Sequence, residues 1–371
     1  TTELNFGLDF GFFNGRLSGT IDWYNKTSKD LLMDQKLLLE QGSPTGTMTA
    51  NVGKVRNSGI ELMLKGVLLQ TKNFYWDVTA TFAKNKNEIL ELQGKKEDMR
   101  AERWFIGQPI DVAYDLRQTG ICTQATANEK VTIDGVTKTK SEWYGYFEGC
   151  MTYEDINKDG KIDDSDRQII GQAMPKWTGT LSTSFSYKNW DFSMSVNTKQ
   201  GHTLYSPFMQ EFTDYSDRGR TKLKMDFYIP EGAPVFNYTW DGSNPSSLTS
   251  DRTVVAGQTH VGSYPYPLND VNYNHGGGNG WYTGKNTEFK SNNYVDASYW
   301  KIKNITLGYT FDKQLTKKIG IEHLRIYANV LNPFTFTDYK GFDPEWADAA
   351  ILDGTGGPSS ISYQIGLNVK F

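Results

Sequence analysis

The sequence contains no long apolar run, and none approaches the ~20 residues that a membrane-spanning helix requires. This absence excludes a helical membrane protein. A membrane β-barrel stays possible, because each of its strands needs only about 9–11 residues and turns every second side chain away from lipid. The chain also lacks a basic excess, with a formal net charge of −4 and a pI near 5.7. It therefore has no electrostatic footprint for nucleic acid, and we expect no such partner.

Cysteine and histidine, which build many metal and catalytic sites, are scarce, with two and four residues. The histidines are scattered, and the HGGG run at 275–278 has no accompanying G-x-S-x-G elbow of the kind an esterase uses. We see no catalytic constellation and expect no enzyme. Cys122 and Cys150 flank a polar insertion. Either they form a disulfide in an oxidising compartment or they are two unpaired surface thiols.

Aromatic residues and glycines are abundant instead, at 14% and 36 residues, which is typical of strands and turns. Apolar and polar or small residues alternate strictly in Glu3–Phe12 and again in Ile361–Phe371. Asn14-Gly15, a strong hairpin signal, follows the first of these stretches. We predict about eleven strands and no convincing helix. Besides the two stretches above, the strands are Leu17–Tyr24, Gly59–Val67, Phe74–Lys84, Trp177–Tyr187, Trp190–Lys199, Ala297–Phe311 and Glu322–Leu331, with weaker candidates at Leu31–Leu39 and Ile106–Arg117.

The connections between these strands are of two kinds. Some are very short, such as Gln70–Asn73 and Lys188-Asn189, whereas two are very long, at about 118–176 and 201–296. A compact soluble domain seldom has such long loops, but an outer-membrane barrel combines short periplasmic turns with long external loops. The sequence therefore predicts an all-β fold, a transmembrane antiparallel β-barrel.

The two faces of the predicted strands support the same interpretation. The non-apolar face carries Ser, Thr, Asn, Gly and Asp rather than the charges of a soluble sandwich surface. Aromatic residues on the apolar face lie near strand ends, as in the girdles at a lipid–water boundary. They are Phe12, Trp23, Tyr187, Trp190 and Tyr309. A soluble two-sheet protein with surface aromatics remains the alternative.

Several stretches resemble the carboxy-terminal half of SusC-like TonB-dependent transporters, which are outer-membrane nutrient importers of Bacteroidota. The matches run in family order from about Gly7 to Phe371 and are weakest in the two long loops. They are GLDFGFFNGRLSGTIDWYNKTSKDLL, NVGKVRNSGIEL, YEDINKDGKIDDSDRQIIG, SYWKIKNITLGYTF, NVLNPFTFTDYKGFDPE and the terminal YQIGLNVKF.

The resemblance implies a barrel of about 22 strands whose lumen is closed by an amino-terminal plug. About eleven strands make about half of it, so we expect residues 1–371 to be the carboxy-terminal part of one barrel domain, completed by a missing amino-terminal part that includes the plug. The implied partners are a SusD-like lipoprotein over the external loops, TonB–ExbB–ExbD through the missing part, and the lipid bilayer. An alternating last strand with a terminal aromatic resembles the signal read by the barrel-assembly machinery, and Phe371 fits that role.

The implied function is energised import of an oligosaccharide or oligopeptide. Two alternatives stay open. One is a secreted, calcium-stabilised β-sandwich that binds glycans or adheres, and the other is a passive porin without a plug.

The sharpest local motif is DINKDGKIDDSD at Asp155–Asp166. It places oxygen-bearing residues at alternate positions with Gly160 at the sixth, which is the template of a calcium loop. The twelfth position is Asp rather than the usual Glu, and we predict a structural Ca²⁺ or, alternatively, an Asx-rich turn without metal. The predicted ligands are Asp155, Asn157, Asp159, Asp163 and Asp166 by their side chains and Lys161 by its carbonyl.

Aromatic residues in the long loops are candidates for contacts with ligand or partner, since flat rings stack on sugars and anchor protein contacts. Packing within the loops is the alternative. The candidates are Trp240, Tyr264, Tyr266, Trp281 and Tyr282.

Overall fold

A computed structural model of the chain describes residues 1–36, 47–209, 226, 228–231, 234–239, 249–254, 259–265, 293–348 and 359–371. Two compact units occur, Thr1–Ala113 with Gly171–Tyr205 and Val295–Phe371, and Tyr114–Ile170 with Ser206–Tyr294. We describe each by itself. Within the described residues, no helix is both long and apolar enough to cross a membrane.

Strands dominate the described part of the chain. They are β1 (Thr2–Phe12), β2 (Leu17–Lys36), β3 (Thr47–Gln70), β4 (Phe74–Glu91), β5 (Val112–Leu116), β6 (Gln118–Ile121), β7 (Lys130–Ile133), β8 (Val136–Thr139), β9 (Met151–Tyr153), β10 (Arg167–Gln172), β11 (Trp177–Tyr187), β12 (Trp190–Gln200), β13 (Thr203–Tyr205), β14 (Pro234–Thr239), β15 (Thr249–Val254), β16 (Tyr294–Asp296), β17 (Tyr299–Thr310), β18 (His323–Thr337) and β19 (Ser362–Lys370). The α-helices are α1 (Gln124–Asn128), α2 (Lys140–Tyr144) and α3 (Lys313–Thr316), and 3-10 turns lie at Arg100–Glu102, Asp164–Asp166, Lys317–Ile319 and Pro344–Trp346.

Nine of these strands form one antiparallel sheet in the order β1-β2-β3-β4-β11-β12-β17-β18-β19. Except for the long loops, strands that follow one another along the chain are neighbours, as in an up-and-down barrel. β1 and β19 are the two edges, so the sheet is not closed into a barrel within this chain. The predicted fold class is confirmed.

The predicted count of about eleven strands differs from the nine of the main sheet among the described residues. The weak candidate Leu31–Leu39 is the outer end of β2, and Ile106–Arg117 contains β5, which pairs with β10 outside the main sheet. The prediction of no helix missed three helices of four or five residues. They are too short to show a 3.6-residue pattern, although the Thr139–Glu142 capping box that starts α2 is visible in the sequence.

Cross-strand register puts the apolar residues of neighbouring strands on one face. Phe6 lies opposite Trp23 with ring centroids 5.8 Å apart, and Leu8 lies opposite Ile21. This face is open rather than packed: Ile365, for example, is 82% exposed. A soluble sheet would bury such a face, whereas lipid accepts it.

Aromatic side chains form two bands on the apolar face. Near the short turns, the rings of Trp190 and Tyr309 are 4.8 Å apart, and near the loops, those of Trp177 and Trp300 are 5.9 Å apart. Along β11, ten residues separate Trp177 from Tyr187. At about 3.3 Å per residue and a tilt of about 40°, they span ~25 Å, the height of the apolar band of an outer-membrane barrel.

The two ends of the nine-stranded sheet differ. At one end, strands are joined by 13–16, 71–73, 188–189 and 311–322, which we call the short-turn rim. At the other end, the strands lead into the connections 37–46, 92–176, 201–298 and 338–361. Because short turns face the periplasm in outer-membrane barrels, the strand ends that lead into the long connections are the external ends.

The second unit contains a small hydrophobic core of its own. Its buried members are Leu116, Cys122, Ala127, Tyr146, Cys150, Met151 and Tyr153. The segment predicted as a long loop at about 118–176 therefore includes packed structure.

Candidate functional site: the polar face and the external loops

On strands β11 to β19, the face of the sheet opposite the apolar one carries neutral hydrogen-bonding groups between its two ends, whereas Glu61 of β3 and Asp77 of β4 add carboxylates to it. The hydroxyls of Ser182 and Ser195 lie 3.2 Å apart on neighbouring strands. Thr306 donates to Asn329 at 2.9 Å, and Asn329 donates to Gln364 at 3.1 Å. Such groups exchange hydrogen bonds with a polar solute and with water.

Toward the short turns, the polar face carries an ion pair. Arg325 donates to Asp191 through Nε at 2.9 Å and through Nη2 at 2.5 Å, a bidentate contact between β18 and β12. The pair passes over Gly308 of the intervening strand, where an added Cβ would lie 2.5 Å from Arg325 Nη2 and Asp191 Oδ1. A side chain at this position of the ITLGYTF motif would therefore displace the pair.

Toward the loops, a lysine is buried among acidic residues. Lys301 of β17 is 1% exposed, and its ammonium donates to Asp343 Oδ2 at 2.7 Å and Glu345 Oε2 at 2.6 Å. Ser359 accepts a third hydrogen bond at 3.0 Å. The acidic residues belong to the external connection after β18, so the contact fastens this connection to the polar face of the sheet.

A second lysine strengthens the same anchor. Lys303 contacts both carboxylate oxygens of Glu345 at 2.7 Å, and the hydroxyl of Tyr299 donates to Glu345 at 3.0 Å. Burial alone would raise the pKa of Glu345, but the hydrogen bonds from Lys301 and Lys303 outweigh it and lower the pKa to about 2. Burial would also raise the pKa of Asp343, but the hydrogen bond from Lys301 outweighs this effect, and the pKa is lowered.

The anchor was missed by sequence reasoning, although both of its sides lie in family-like motifs, KIKN and GFDPE. Lys301 and Asp343 are 42 positions apart, so spacing along the chain carries no signal for their contact. The available signal was charge complementarity: a strand motif with two lysines and a loop motif with two acids.

The predicted calcium loop is closed by hydrogen bonds among its own groups. Asp155 Oδ2 accepts from the Gly160 amide at 3.0 Å, and the Asp159 carboxylate accepts from the Lys161 amide at 2.9 Å. Asp166, which is fully buried, accepts from the amides of Ile156 and Asp163 at 2.9 and 3.0 Å. Such hydrogen bonds from backbone amides to Asp side chains are those of an Asx-rich turn, the alternative to a calcium site.

The fit of these residues to a calcium ion is partial. Asp155 Oδ1 is enclosed and has no hydrogen-bond partner within the described chain, as a ligand atom would be. However, Asn157 turns its amide nitrogen toward Asp159 and Ser165, at 3.1 and 2.9 Å. Across the described ranges, no three His, Cys, Asp or Glu side chains are grouped to hold a metal. Calcium stays a prediction.

The two cysteines lie side by side in the core of the second unit. Cys122 and Cys150 are 0% and 1% exposed, and the Cys122 amide donates to the Cys150 carbonyl at 2.8 Å. The structure carries both as free thiols. They are buried, so the expectation of surface thiols is wrong, and the disulfide stays a prediction. The contact with the Cys122 thiol and burial both raise the pKa of Cys150, which keeps its thiol protonated.

The remaining candidates are only partly covered. Tyr264 is half-buried, and burial raises its pKa to about 12. Phe371 is 84% exposed and follows the edge strand β19 at its short-turn end. The other loop aromatics, Trp240, Tyr266, Trp281 and Tyr282, lie outside the described residues.

Comparison with known families shows to which family of proteins this nine-stranded sheet belongs. The family model described as "TonB dependent receptor-like, beta-barrel" matches residues 1–221, more than half of the chain. The chain belongs to this family. It is part of a TonB-dependent receptor barrel of the outer membrane, which excludes the soluble β-sandwich, and its family consists of transport receptors rather than enzymes.

Relatives extend the match over the whole chain. The TonB-dependent receptor SusC of Bacteroides thetaiotaomicron is 27% identical over 397 aligned positions, which cover 100% of this chain and 32% of SusC. The TonB-dependent receptor P39 of Formosa agariphila is 26% identical, with 100% and 35% covered. The SusC-like resemblance is confirmed. The chain spans about a third of the length of these relatives.

Solved structures agree in fold. The RagAB peptide transporter matches with a TM-score of 0.64 and 23% identity, covering 100% of this chain and 35% of that one. The RagAB peptide importer in its open-open state matches with a TM-score of 0.65, also at 23% identity, covering 100% and 34%.

Proposed function

We propose that this chain forms part of the wall of a transporter that actively imports an oligosaccharide or an oligopeptide across the outer membrane. The observation that carries the proposal is the continuous polar face, on which Ser, Thr, Asn and Gln side chains of neighbouring strands bond one another. Oligosaccharides and peptides are rich in hydroxyl and amide groups, and such a surface replaces their water hydrogen bonds during passage.

Partner proteins supply the energy for transport and capture the substrate. TonB–ExbB–ExbD acts through a plug supplied by another part of the transporter, and a SusD-like lipoprotein covers the external loops. Likeness to SusC and to the RagAB transporter supports this assignment, and the anchored loop after β18 gives such a lipoprotein a fixed surface on the external side.

Neighbouring residues of β11 provide a matched test in the complete transporter. Ser182 lies on the polar face, whereas Leu181 lies on the apolar face and is 45% exposed. Ser182→Trp should reduce uptake of labelled oligosaccharide or oligopeptide, because the indole narrows the path. Leu181→Trp should leave uptake unchanged. Equal uptake by both variants at equal surface levels would contradict the assignment of the polar face to the path.

Deleting TonB distinguishes active import from a passive porin. Uptake should stop without TonB, and uptake that persists would support the porin. Separate assays with oligosaccharide and oligopeptide pools decide the cargo class, and copurification of a surface lipoprotein with the transporter tests the partner.

A further inference from the structure

The short-turn rim has a charge opposite to that of the chain. Its four segments contain six basic residues and two acidic ones, a net charge of +4, whereas the whole chain carries −4. The basic residues are Arg16, Lys72, Lys188, Lys313, Lys317 and Lys318, and the acidic ones are Asp312 and Glu322. The periplasmic end of the wall is therefore electropositive.

These cations are not neutralised within the protein. In the described parts of the chain, none of the six basic residues forms an ion pair. Glu322 is paired with Lys370 of β19 at 3.3 Å, and Asp312 accepts from the Asn189 amide at 3.0 Å. Both acidic residues are thus already engaged. Lys188 lies over the Tyr187 ring at 5.3 Å, a contact that leaves its charge available to an external anion.

Large apolar side chains are interspersed with the cations. Phe13, Leu315 and Ile319 are 75%, 60% and 69% exposed, and each lies in a rim segment that also holds lysine or arginine. Trp190 directly follows the rim segment 188–189, and its ring forms the adjoining aromatic band with that of Tyr309. Exposed apolar groups, lysines and an aromatic band together are typical of the boundary between hydrocarbon and head groups.

A cleft at the rim brings these features together. It has a volume of about 700 Å³ and is lined by Lys72 and Lys188, by Asn73 and by the aromatic residues Trp190 and Tyr309. Asp312 also lines it and accepts from the Asn189 amide, so two lysines face one carboxylate and the lining keeps a net positive charge. Lysine is a point-charge binder of phosphate, and an asparagine amide donates to its oxygens.

We propose that the short-turn rim binds anionic phospholipid head groups of the periplasmic leaflet, with a lipid phosphate held in this cleft by Lys72 and Lys188. An acidic periplasmic protein would match the charge as well. The exposed Phe13, Leu315 and Ile319 and the adjoining aromatic band favour lipid, because they need hydrocarbon beside the anion.

The test uses the complete transporter purified from membranes and placed in nanodiscs of mixed phosphatidylglycerol and phosphatidylethanolamine. The lipids retained after detergent extraction are counted by native mass spectrometry. One variant combines Lys72→Gln with Lys188→Gln. The control combines Lys96→Gln with Lys130→Gln, which removes the same charge from exposed positions on the loop side.

The wild type and the control should retain phosphatidylglycerol in excess. A lysine beside an anionic surface changes lipid affinity about fivefold, so the rim variant should lose roughly thirtyfold of this preference. A heat-modifiable gel shift confirms that each variant is folded. Equal retention of the two lipids by the wild type, or equal preference in rim variant and control, would overturn the proposal. So would an acidic protein that occupies the rim while lipid preference is absent.

Discussion

Replacing Lys301 by methionine should release the external loop after β18 without disassembling the sheet. Methionine keeps most of the volume of the lysine stem but removes the ammonium. Lys303 still contacts Glu345, so the carboxylate that loses its ion-pair partner is Asp343, whose side chain is 4% exposed and keeps the neutral hydrogen bond from the Glu345 amide. The substitution therefore leaves the buried carboxylate of Asp343 without a compensating positive charge.

The magnitude follows from that stranded charge. Removing one partner of a buried ion pair typically costs 3–5 kcal/mol, and the remaining lysine favours the lower end, about 3 kcal/mol. Because the acidic residues sit on a loop, the cost is met by local opening rather than by global unfolding. An opening equilibrium shifted by about 3 kcal/mol corresponds to a population of the open loop that is larger by roughly a hundredfold.

Hydrogen exchange of the complete transporter reads this opening directly. The reporter amides are those of Glu345 and Trp346, which donate to Asp343 Oδ1 at 3.0 Å and to its carbonyl at 3.1 Å. Their exchange should accelerate by roughly a hundredfold in Lys301→Met. Lys65→Met is the control, since Lys65 is an exposed lysine of β3 with no ion pair among the described residues.

A double variant separates stranded charge from lost packing. Adding Asp343→Asn to Lys301→Met removes the uncompensated charge but keeps the side-chain oxygen that accepts from the Glu345 amide. We expect most of the protection to return. If Lys301→Met exchanges like the Lys65→Met control, or if the double variant opens as readily as the single one, the electrostatic anchor is refuted.

Four further outcomes can be measured. The depressed pKa of Glu345 means that its anchoring contribution is complete above about pH 4.5 and is lost as the pH falls toward 2, so loop protection should decline across that window; constant protection would contradict it. Mild oxidation should join Cys122 to Cys150, because they directly follow β6 and precede β9 and the Cys122 amide donates to the Cys150 carbonyl, which brings the two residues side by side; two thiols still labelled in the denatured, unreduced chain would exclude the bond. If calcium binds, Asp155→Ala should loosen the loop in calcium buffer while the barrel stays assembled, and a wild-type loop equally protected in chelator would argue against the ion. Phe371→Asp should lower the amount of assembled transporter in the outer membrane, and normal surface levels would remove its role as an assembly signal.

Strict alternation made the faces of most strands predictable. In β1 and β19 the side-chain period of two holds without interruption, so the apolar face and its aromatic ends follow from the residues alone. In β17 it does not. A register shift between Ile302 and Asn304 brings Lys303 and Asn304 to the polar side in succession. A pattern of apolar residues cannot locate such a bulge until the neighbouring strands are known.

Contacts between distant segments were the least predictable part of the site. The acidic partners of Lys301 come from another connection, and the buried cysteines belong to a small core inside a segment rich in polar residues. The composition of that segment is typical of a loop because its core is small, and seven buried residues are too few to change the average. The expected calcium loop is a hydrogen-bonded turn, and whether it binds a metal depends on a convergence of side chains that spacing along the chain does not determine.

The segment between Arg117 and Glu154 begins and ends at two residues that are neighbours in space. The Glu154 amide donates to the Arg117 carbonyl at 3.0 Å, and the two side chains approach to 3.4 Å. The residues between them pack around the core of Cys122 and Tyr146, and Glu148 also accepts a hydrogen bond from Tyr228 at 2.6 Å. A segment with a shared entry and exit can be exchanged as a cassette, since its length places no demand on the residues that flank it. Replacing this segment would leave the register of the nine-stranded sheet unchanged, because neither Arg117 nor Glu154 belongs to a strand of that sheet.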